Sequence, residues 1–251
     1  MTDAENDQEQ PLIAHLIELR SRILKAGIFV LVIFLLLLPF ANRIYHFIAT
    51  PLIAKLPAGS SMIATEVASP FFAPFKLSLF LAIFISIPYI LYQTWAFVSP
   101  GLYSNEKKLA FPLLASSIIL FYTGVIFAYY IVFPLLFAFF ASTAPEGIQI
   151  MTDINHYLDF ILKLFFAFGV SFEIPVATFL LISGDFISIE KLAANRPYVI
   201  VFAFVVGMLL TPPDVISQIL LAVPIWLLFE GGLILGRYWL KQNEKDIGST
   251  T

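Results

Sequence analysis

Six long stretches of the sequence contain almost no ionisable side chains, and they constrain the fold more than any other feature. A helix needs roughly 20 residues to cross about 30 Å of hydrocarbon. The chain is 60% hydrophobic and only 12% charged, whereas soluble domains carry about 25% charged residues. This composition excludes a water-soluble enzyme, and it equally excludes a disordered chain. The stretches are Ala26–Asn42, Leu77–Asn105, Leu109–Pro145, Leu164–Gly184, Pro197–Pro213 and Val215–Gly236. We therefore expect an all-α polytopic membrane protein, with six transmembrane helices in a single domain over residues 1–251.

The Lys and Arg residues are distributed unevenly between the two sides of such a protein. Six crossings put both termini on one side, together with the connections near residues 106–108 and 185–196. That side carries Arg20, Arg22, Lys25, Lys107, Lys108, Lys191, Arg196, Arg237, Lys241 and Lys245. The other side carries Arg43, Lys55, Lys76 and Lys163. Because cytoplasmic loops are enriched in Lys and Arg, both termini are predicted to be cytoplasmic.

The sequence also predicts the character of the two terminal segments and the shape of the membrane helices. Residues 1–25 are predicted to form a cytoplasmic amphipathic segment, and residues 241–251 a loose cytoplasmic tail. The fifth stretch has 17 residues and the sixth has 15 before Glu230, so short fifth and sixth helices are expected. Prolines inside the stretches predict kinked helices that form a concave face.

Motifs for catalysis or for metal binding are missing from the sequence. The segment His15–Leu19 does not match the zinc motif H-E-x-x-H, and there is neither a P-loop nor a G-x-S-x-G elbow. The absence of cysteine removes disulfides, thiolate metal sites and cysteine nucleophiles. A net charge of −3 provides no basic surface for nucleic acid. We predict no catalytic residue, no metal, no cofactor and no nucleic-acid partner.

Polar residues within the membrane need a separate explanation. A carboxylate at the centre of a bilayer costs about 2.5–3.5 kcal/mol, so Glu173 in the fourth stretch indicates a functional role. The alternative is a neutral carboxyl group that hydrogen-bonds inside the bundle and holds helices together. Met208, Thr211 and Gln218 lie around the turn between the fifth and sixth stretches. They are suited to docking a foreign helix, with internal packing as an equal alternative.

Two acidic residues lie on the side predicted to be cytoplasmic. Glu18 precedes Arg22 by four residues on the amphipathic helix, a spacing typical of an ordinary surface ion pair. Glu106 lies at the head of the third helix, where an acid complements the helix dipole. Their positions alone assign no function to either residue.

Seven short motifs occur in order between Leu12 and Leu240. They are His15–Arg22, Ser69–Phe72, Tyr92–Phe97, Pro100–Tyr103 with Glu106, Phe168–Pro175, Arg196–Tyr198 and Leu210–Asp214. In this order they resemble the TatC family, the multi-spanning subunit of the twin-arginine protein translocase. The resemblance implies a receptor and core subunit in the bacterial cytoplasmic (inner) membrane. Such a subunit binds twin-arginine signal peptides of folded cargo, associates with itself and with single-span TatA and TatB, and uses the proton-motive force for export.

The same resemblance assigns roles to individual residues. Signal-peptide binding is expected at Glu18, Arg20 and Glu106. A carboxylate suits this task because it pairs bidentately with the guanidinium of arginine. Docking of the TatB or TatA helix is expected at Met208, Thr211 and Gln218. Glu173 is expected to face a concave membrane cavity.

Two other classes of protein compete with this interpretation. A transporter of small solutes or ions would also contain an intramembrane carboxylate and broken helices. A purely structural scaffold for other membrane spans would require none of the named acids. Export of a folded reporter that carries a twin-arginine signal distinguishes the three classes.

Overall fold

The computed structural model describes residues 3–53, 61–65, 67–98, 110–143, 151–210 and 215–248, and these residues are almost entirely helical. The helices are α1 Asp3–Leu37, α2 Ala41–Ile53, α3 Ser69–Val98, α4 Ala110–Phe127, α5 Phe133–Thr143, α6 Ile154–Ser171, α7 Ile174–Ser183, α8 Ile189–Ala194, α9 Arg196–Leu210 and α10 Val215–Gly248. Five apolar helical segments are long enough to span a membrane, namely Ile13–Phe47, Ser69–Val98, Phe111–Phe140, Ile154–Ser183 and Val215–Lys241. The apolar helix α9 is shorter. An all-α polytopic membrane fold is thereby confirmed.

The first helix is longer than the sequence predicts. The amphipathic segment predicted over residues 1–25 and the beginning of the first charge-free stretch, Ala26–Asn42, lie on one helix, because α1 runs without a break from Asp3 to Leu37. Between Leu12 and Leu37 there is no proline and only one glycine, so nothing ends the helix before Pro39. Pro39 lies in a 3₁₀ turn, Leu38–Phe40, that leads into α2. The most apolar part of Ile13–Phe47 has no buried residue, which is typical of a helix that faces lipid.

Contacts divide the chain into two compact units, Met1–Ile48 with Phe71–Leu114 and Ala49–Pro70 with Ala115–Thr251. The single domain over residues 1–251 stays a prediction. In the first unit α1 and α3 are antiparallel neighbours. The rings of His15 and Phe97 stack with centroids 4.2 Å apart, and those of Phe29 and Tyr89 lie 4.4 Å apart. The beginning of α1 therefore lies beside the end of α3.

In the second unit α4 packs closely against α6 through two glycines. A Cβ atom placed on Gly124 would lie 2.5 Å from the backbone oxygen of Phe168. A Cβ atom on Gly169 would lie 2.6 Å from the ring of Phe121. Small residues at such points let two helix backbones approach each other inside a membrane.

Two interruptions occur close to prolines that were expected to kink the helices. A π-helical turn, Ala128–Val132, connects α4 to α5 immediately before Pro134. The fourth crossing is divided at Phe172 and Glu173, where α6 ends and α7 begins with Pro175 in its first turn. Proline lacks the N–H that would continue the ladder of hydrogen bonds, so the chain departs from the regular α-helix nearby.

A short pair of parallel strands and one carboxylate organise the segment that precedes α6. Strand β1, Ser61–Ile63, pairs with strand β2, Met151–Asp153. Asp153 caps α6 by accepting hydrogen bonds from the backbone N–H groups of Asn155 and His156. It also accepts bonds from the hydroxyl and the backbone N–H of Thr65, which hold the pKa of its carboxyl group below the usual range. Because of this cap, α6 begins ten residues before the charge-free stretch that starts at Leu164.

The fifth charge-free stretch forms a short helix, as expected, but the sixth forms part of a long one. Helix α9 has 15 residues, so it extends only about 22 Å. Helix α10 is not short, because it passes through Glu230 and continues for 34 residues. The tail that we expected to be loose after residue 241 is helical as far as Gly248. Glu230 is compatible with a continuous α10 because glutamate is a good helix former, and its charge is paired with Arg196 on α9.

We expect Gly124→Ala to lower the free energy of unfolding by about 1–3 kcal/mol, because the new methyl group would overlap a backbone oxygen that cannot rotate away. The matched control is Gly207→Ala, where the nearest atom would lie at an ordinary contact distance of 3.4 Å. Thermal unfolding of both purified variants in the same detergent measures the difference. Equal unfolding temperatures for the two variants would contradict the close packing of α4 on α6.

Candidate functional site

Glu18 lies near the start of the α1–α3 pair and binds a guanidinium group of its own chain. The side chain of Arg22 donates to Glu18 Oε1 from Nε at 2.9 Å and from Nη2 at 2.6 Å. The Glu18 side chain is 36% exposed and that of Arg22 is 22% exposed. The ion pair expected from the spacing of four residues is therefore present, and water or a ligand can still reach the carboxylate.

A third residue joins this pair from the neighbouring helix. Arg22 Nη1 donates to Oε1 of Gln93 at 3.3 Å, and Gln93 is buried on α3. We call Glu18, Arg22 and Gln93 the carboxylate cluster. Spacing along α1 predicted the first contact, but the contact with Gln93 depends on the packing of α1 against α3.

The other two predicted signal-peptide residues have different positions. Arg20 is exposed, and it follows Glu18 by two residues, so the side chains leave α1 about 200° apart. The structure therefore does not bring Arg20 into the carboxylate cluster. Glu106 lies outside the described residues, in the connection that begins after Val98. The described end of α3 lies beside His15, because Phe97 stacks on the His15 ring.

Glu173 lies at the break between α6 and α7, and it is partly buried. The Ser117 hydroxyl of α4 forms a hydrogen bond with its carboxyl group. Its Oε1 atom is buried and has no hydrogen-bond partner among the described residues. The structure thus contains the bond between helices that the packing alternative requires, together with one oxygen that this bond leaves unsatisfied.

Two of the three predicted docking residues lie at the same end of α9 and α10. A Cβ atom on Gly207 would approach the backbone of Gln218 to 3.4 Å, so the two helices are close at this point. Met208 follows Gly207 and is 53% exposed, while Gln218 is partly buried. Thr211 lies in residues 211–214, outside the described residues.

The ion pair between Arg196 and Glu230 was not found by sequence reasoning. Arg196 donates from Nε to Oε1 of Glu230 at 2.5 Å and from Nη2 to Oε2 at 2.9 Å. Glu230 has no role in the sequence-based interpretation, although it and Arg196 carry opposite charges on consecutive helices. This bidentate contact fixes the first turn of α9 against α10. Within the described ranges, no three His, Asp or Glu residues are grouped so as to hold a metal ion.

The helical spans and the partly exposed carboxylate cluster define the class of protein, a polytopic α-helical membrane protein with a polar site at one end of a helix pair. The family model for the Sec-independent protein translocase protein TatC matches residues 14–224. The chain therefore belongs to the TatC family. It is a multi-pass transport subunit of the twin-arginine protein translocase and not an enzyme.

Individual relatives support this assignment over nearly the whole chain. The TatC protein of Azotobacter chroococcum is 59% identical over 232 residues, which cover 92% of this chain and 91% of the relative. The TatC protein of Escherichia coli K12 is 58% identical over 234 residues, with coverage of 93% and 91%. A crystal structure of the twin-arginine translocase receptor TatC is 38% identical and superposes with a TM-score of 0.80, covering 89% of this chain and 98% of that one. These relatives favour a protein translocase over a transporter of small solutes.

We expect Glu173→Ala to reduce export, because it removes both the carboxyl group and its bond with Ser117. Glu173→Gln is the matched variant, since it retains the hydrogen-bonding side chain but cannot ionise. Export of a folded reporter, normalised to the amount of protein in the membrane, is the measurement. Wild-type export by Glu173→Ala would leave Glu173 with a packing role only. A defect in both variants would indicate that the ionisable group itself is needed.

Proposed function

We propose that this chain is the receptor and core subunit of the translocase, and that it binds the twin-arginine signal peptide of folded cargo. With the single-span subunits TatA and TatB it then mediates export driven by the proton-motive force. The observation that carries the proposal is the carboxylate cluster, in which a partly exposed Glu18 already binds a guanidinium group. The same side chain is chemically suited to an arginine supplied by a ligand.

A second acid, Glu106, follows α3 in the sequence. The end of α3 lies beside His15, since Phe97 stacks on its ring, and His15 lies one turn before Glu18 on α1. Two arginines in one peptide call for two acidic partners, because each planar guanidinium group pairs best with its own carboxylate. Glu18 and Glu106 supply these partners in the proposal. Arg20 adds to the same recognition surface from another side of α1.

We propose further that the chain crosses the membrane six times, with both termini, Glu18 and Glu106 in the cytoplasm. The excess of Lys and Arg on that side supports this orientation. A signal peptide can reach the site there before any part of the cargo has crossed. The membrane is the bacterial cytoplasmic membrane, since the relatives named above come from bacteria.

A second surface is proposed for the partner helices. Helix α9 extends only about 22 Å, and it exposes apolar residues along its length. A short apolar helix is compensated by thinning of the bilayer or by association with another helix. Met208, Thr211 and Gln218 mark one end of this surface, where a TatB or TatA helix docks. Glu173 faces a membrane cavity, and copies of the chain associate in the working complex.

The charge of the two acids is the direct test of signal-peptide binding. We expect Glu18→Gln and Glu106→Gln each to weaken binding of a twin-arginine peptide by about tenfold, because each change removes a charge-assisted hydrogen bond. Glu190→Gln, an exposed acid on α8, is the matched control and should bind as the wild type does. The measurement is the Kd of a labelled peptide for the full chain in lipid nanodiscs.

Two results would contradict this proposal. One is equal affinity of the wild type and both acid variants for the twin-arginine peptide. The other is an extracytoplasmic location of the site, which thiol labelling can detect because the chain contains no cysteine. A single cysteine at Ser21 should react in intact cells only with a reagent that crosses the membrane.

We expect Gln218→Leu to weaken association with a single-span partner while leaving membrane insertion intact. Leucine retains the bulk of the side chain but removes an amide that can hydrogen-bond across helices. Thr123→Leu is the control, because the Thr123 hydroxyl is exposed and bonds only within its own helix, to the Ile119 oxygen. Co-purification with tagged TatB or TatA measures the effect. Unchanged recovery of the partner with Gln218→Leu would remove the docking role.

A further inference from the structure

The carboxylate cluster already contains a guanidinium group, that of Arg22, and the proposed ligand would bring the same group. Both hydrogen bonds from Arg22 end on the same oxygen of Glu18, Oε1, at 2.9 Å and 2.6 Å. The second oxygen of Glu18, Oε2, accepts no hydrogen bond from any residue in the described part of the chain. An incoming guanidinium group can therefore bind Oε2 before Arg22 has left Oε1.

The surroundings of Arg22 allow it to leave without loss of the helix pair. Its Nη1 atom has a second acceptor in Gln93, which remains in reach on α3. A cavity of about 400 Å³ adjoins Arg22 and Gln93. Its lining is mostly apolar, so it has space for the aliphatic stem of the displaced Arg22, while the guanidinium group keeps Gln93 as its acceptor. The contact of α1 with α3 does not depend on Arg22 alone, because the stacked rings of His15 and Phe97 also join the two helices.

We propose that Arg22 is an internal competitor at the signal-peptide site, and that an arginine of the peptide binds Glu18 by displacing it. This inference rests on the proposed function. In the free protein the site is occupied by a guanidinium group, and in the complex a guanidinium group of the ligand takes the same place. Partly exposed pairs between residues four apart on a helix are weak, so a ligand with further contacts can displace Arg22.

Internal competition also provides selectivity for arginine. Arginine can replace Arg22 with the same planar group, and its two parallel donors can engage both Oε1 and Oε2 of Glu18. Lysine offers a compact point charge without this geometry, so it competes poorly against Arg22, whose Nε and Nη2 both donate to Oε1. Arg22 thus raises the affinity that any cation needs in order to bind Glu18. The penalty is larger for lysine than for arginine, so the site discriminates against the wrong ligand. If Arg22 only positioned Glu18, its removal would weaken binding of the peptide.

The test compares two peptides that are identical except for a pair of arginines or a pair of lysines. Their Kd values are measured on the full chain in lipid nanodiscs for the wild type and for Arg22→Gln. We expect Arg22→Gln to bind the twin-arginine peptide about three- to fivefold more tightly, because Glu18 is no longer occupied. The twin-lysine peptide should gain more, so that the ratio of the two Kd values moves towards one.

Two control variants separate displacement from general electrostatics. Lys25→Gln removes the same charge from an exposed position three residues further along α1, and it should affect both peptides equally and weakly. Adding Arg22→Gln to Glu18→Gln should have no further effect, because the competitor acts only through that carboxylate. Arg22→Lys keeps the charge and loses the fork of donors, so its affinities should lie between those of the wild type and Arg22→Gln. If Arg22→Gln does not fold, Arg22→Lys tests on its own whether Arg22 competes with the peptide for Glu18.

The results distinguish failure of this inference from failure of the proposed function. If Glu18→Gln weakens binding of the twin-arginine peptide but Arg22→Gln leaves it unchanged or weakens it, the receptor role stands and internal competition is wrong. Equal tightening by Arg22→Gln and Lys25→Gln would overturn the inference in the same way. If Glu18→Gln binds the twin-arginine peptide as the wild type does, the proposed function itself fails.

Discussion

A lipid bilayer offers no hydrogen-bond partner to the backbone, and this constraint determines where the chain can depart from a regular helix. The departures that the structure describes occur at particular residues. The turn at Leu38–Phe40 contains Pro39, the π-helical turn ends just before Pro134, and the break at Glu173 precedes Pro175. At the π-helical turn the N–H of Phe133 bonds to the oxygen of Ala128, so backbone bonding continues through the irregular segment. These three prolines therefore accompany local changes of helix type, whereas Pro74, Pro88 and Pro224 lie inside continuous α-helices.

Ionisable side chains also need hydrogen-bond or ion-pair partners, and three carboxyl groups differ in how fully they are paired. Glu230 is paired with Arg196 by a bidentate bond. Glu18 is paired with Arg22 but remains partly exposed. Glu173 has one bond with Ser117 and one buried oxygen without a partner in the described chain. The acids thus range from fully paired to partly paired, and the less satisfied ones are those for which a role in transport is proposed.

The distribution of charge along the sequence was sufficient to predict the class of fold, because spans are defined by the absence of ionisable residues. It was not sufficient for the ends of helices, which depend on local hydrogen bonds. Asp153 starts α6 well before Leu164, and no residue between Leu12 and Leu37 ends α1. The candidate site shows a similar division. The spacing of Glu18 and Arg22 predicted their pairing, but the bond to Gln93 and the pair of Arg196 with Glu230 come from tertiary packing.

The two glycines between α4 and α6 restrict which parts of this unit can move during transport. Gly124 and Gly169 each receive part of the facing helix, at distances that leave no space even for a methyl group. Sliding one helix along the other would force side chains into the backbone near Phe168, so this contact opposes sliding of α4 along α6. At Gly207 the approach of α9 to α10 is an ordinary contact. These two helices are therefore joined by the buried residues Ala203, Ala222 and Ile225 and by the bond between Arg196 and Glu230, rather than by a glycine.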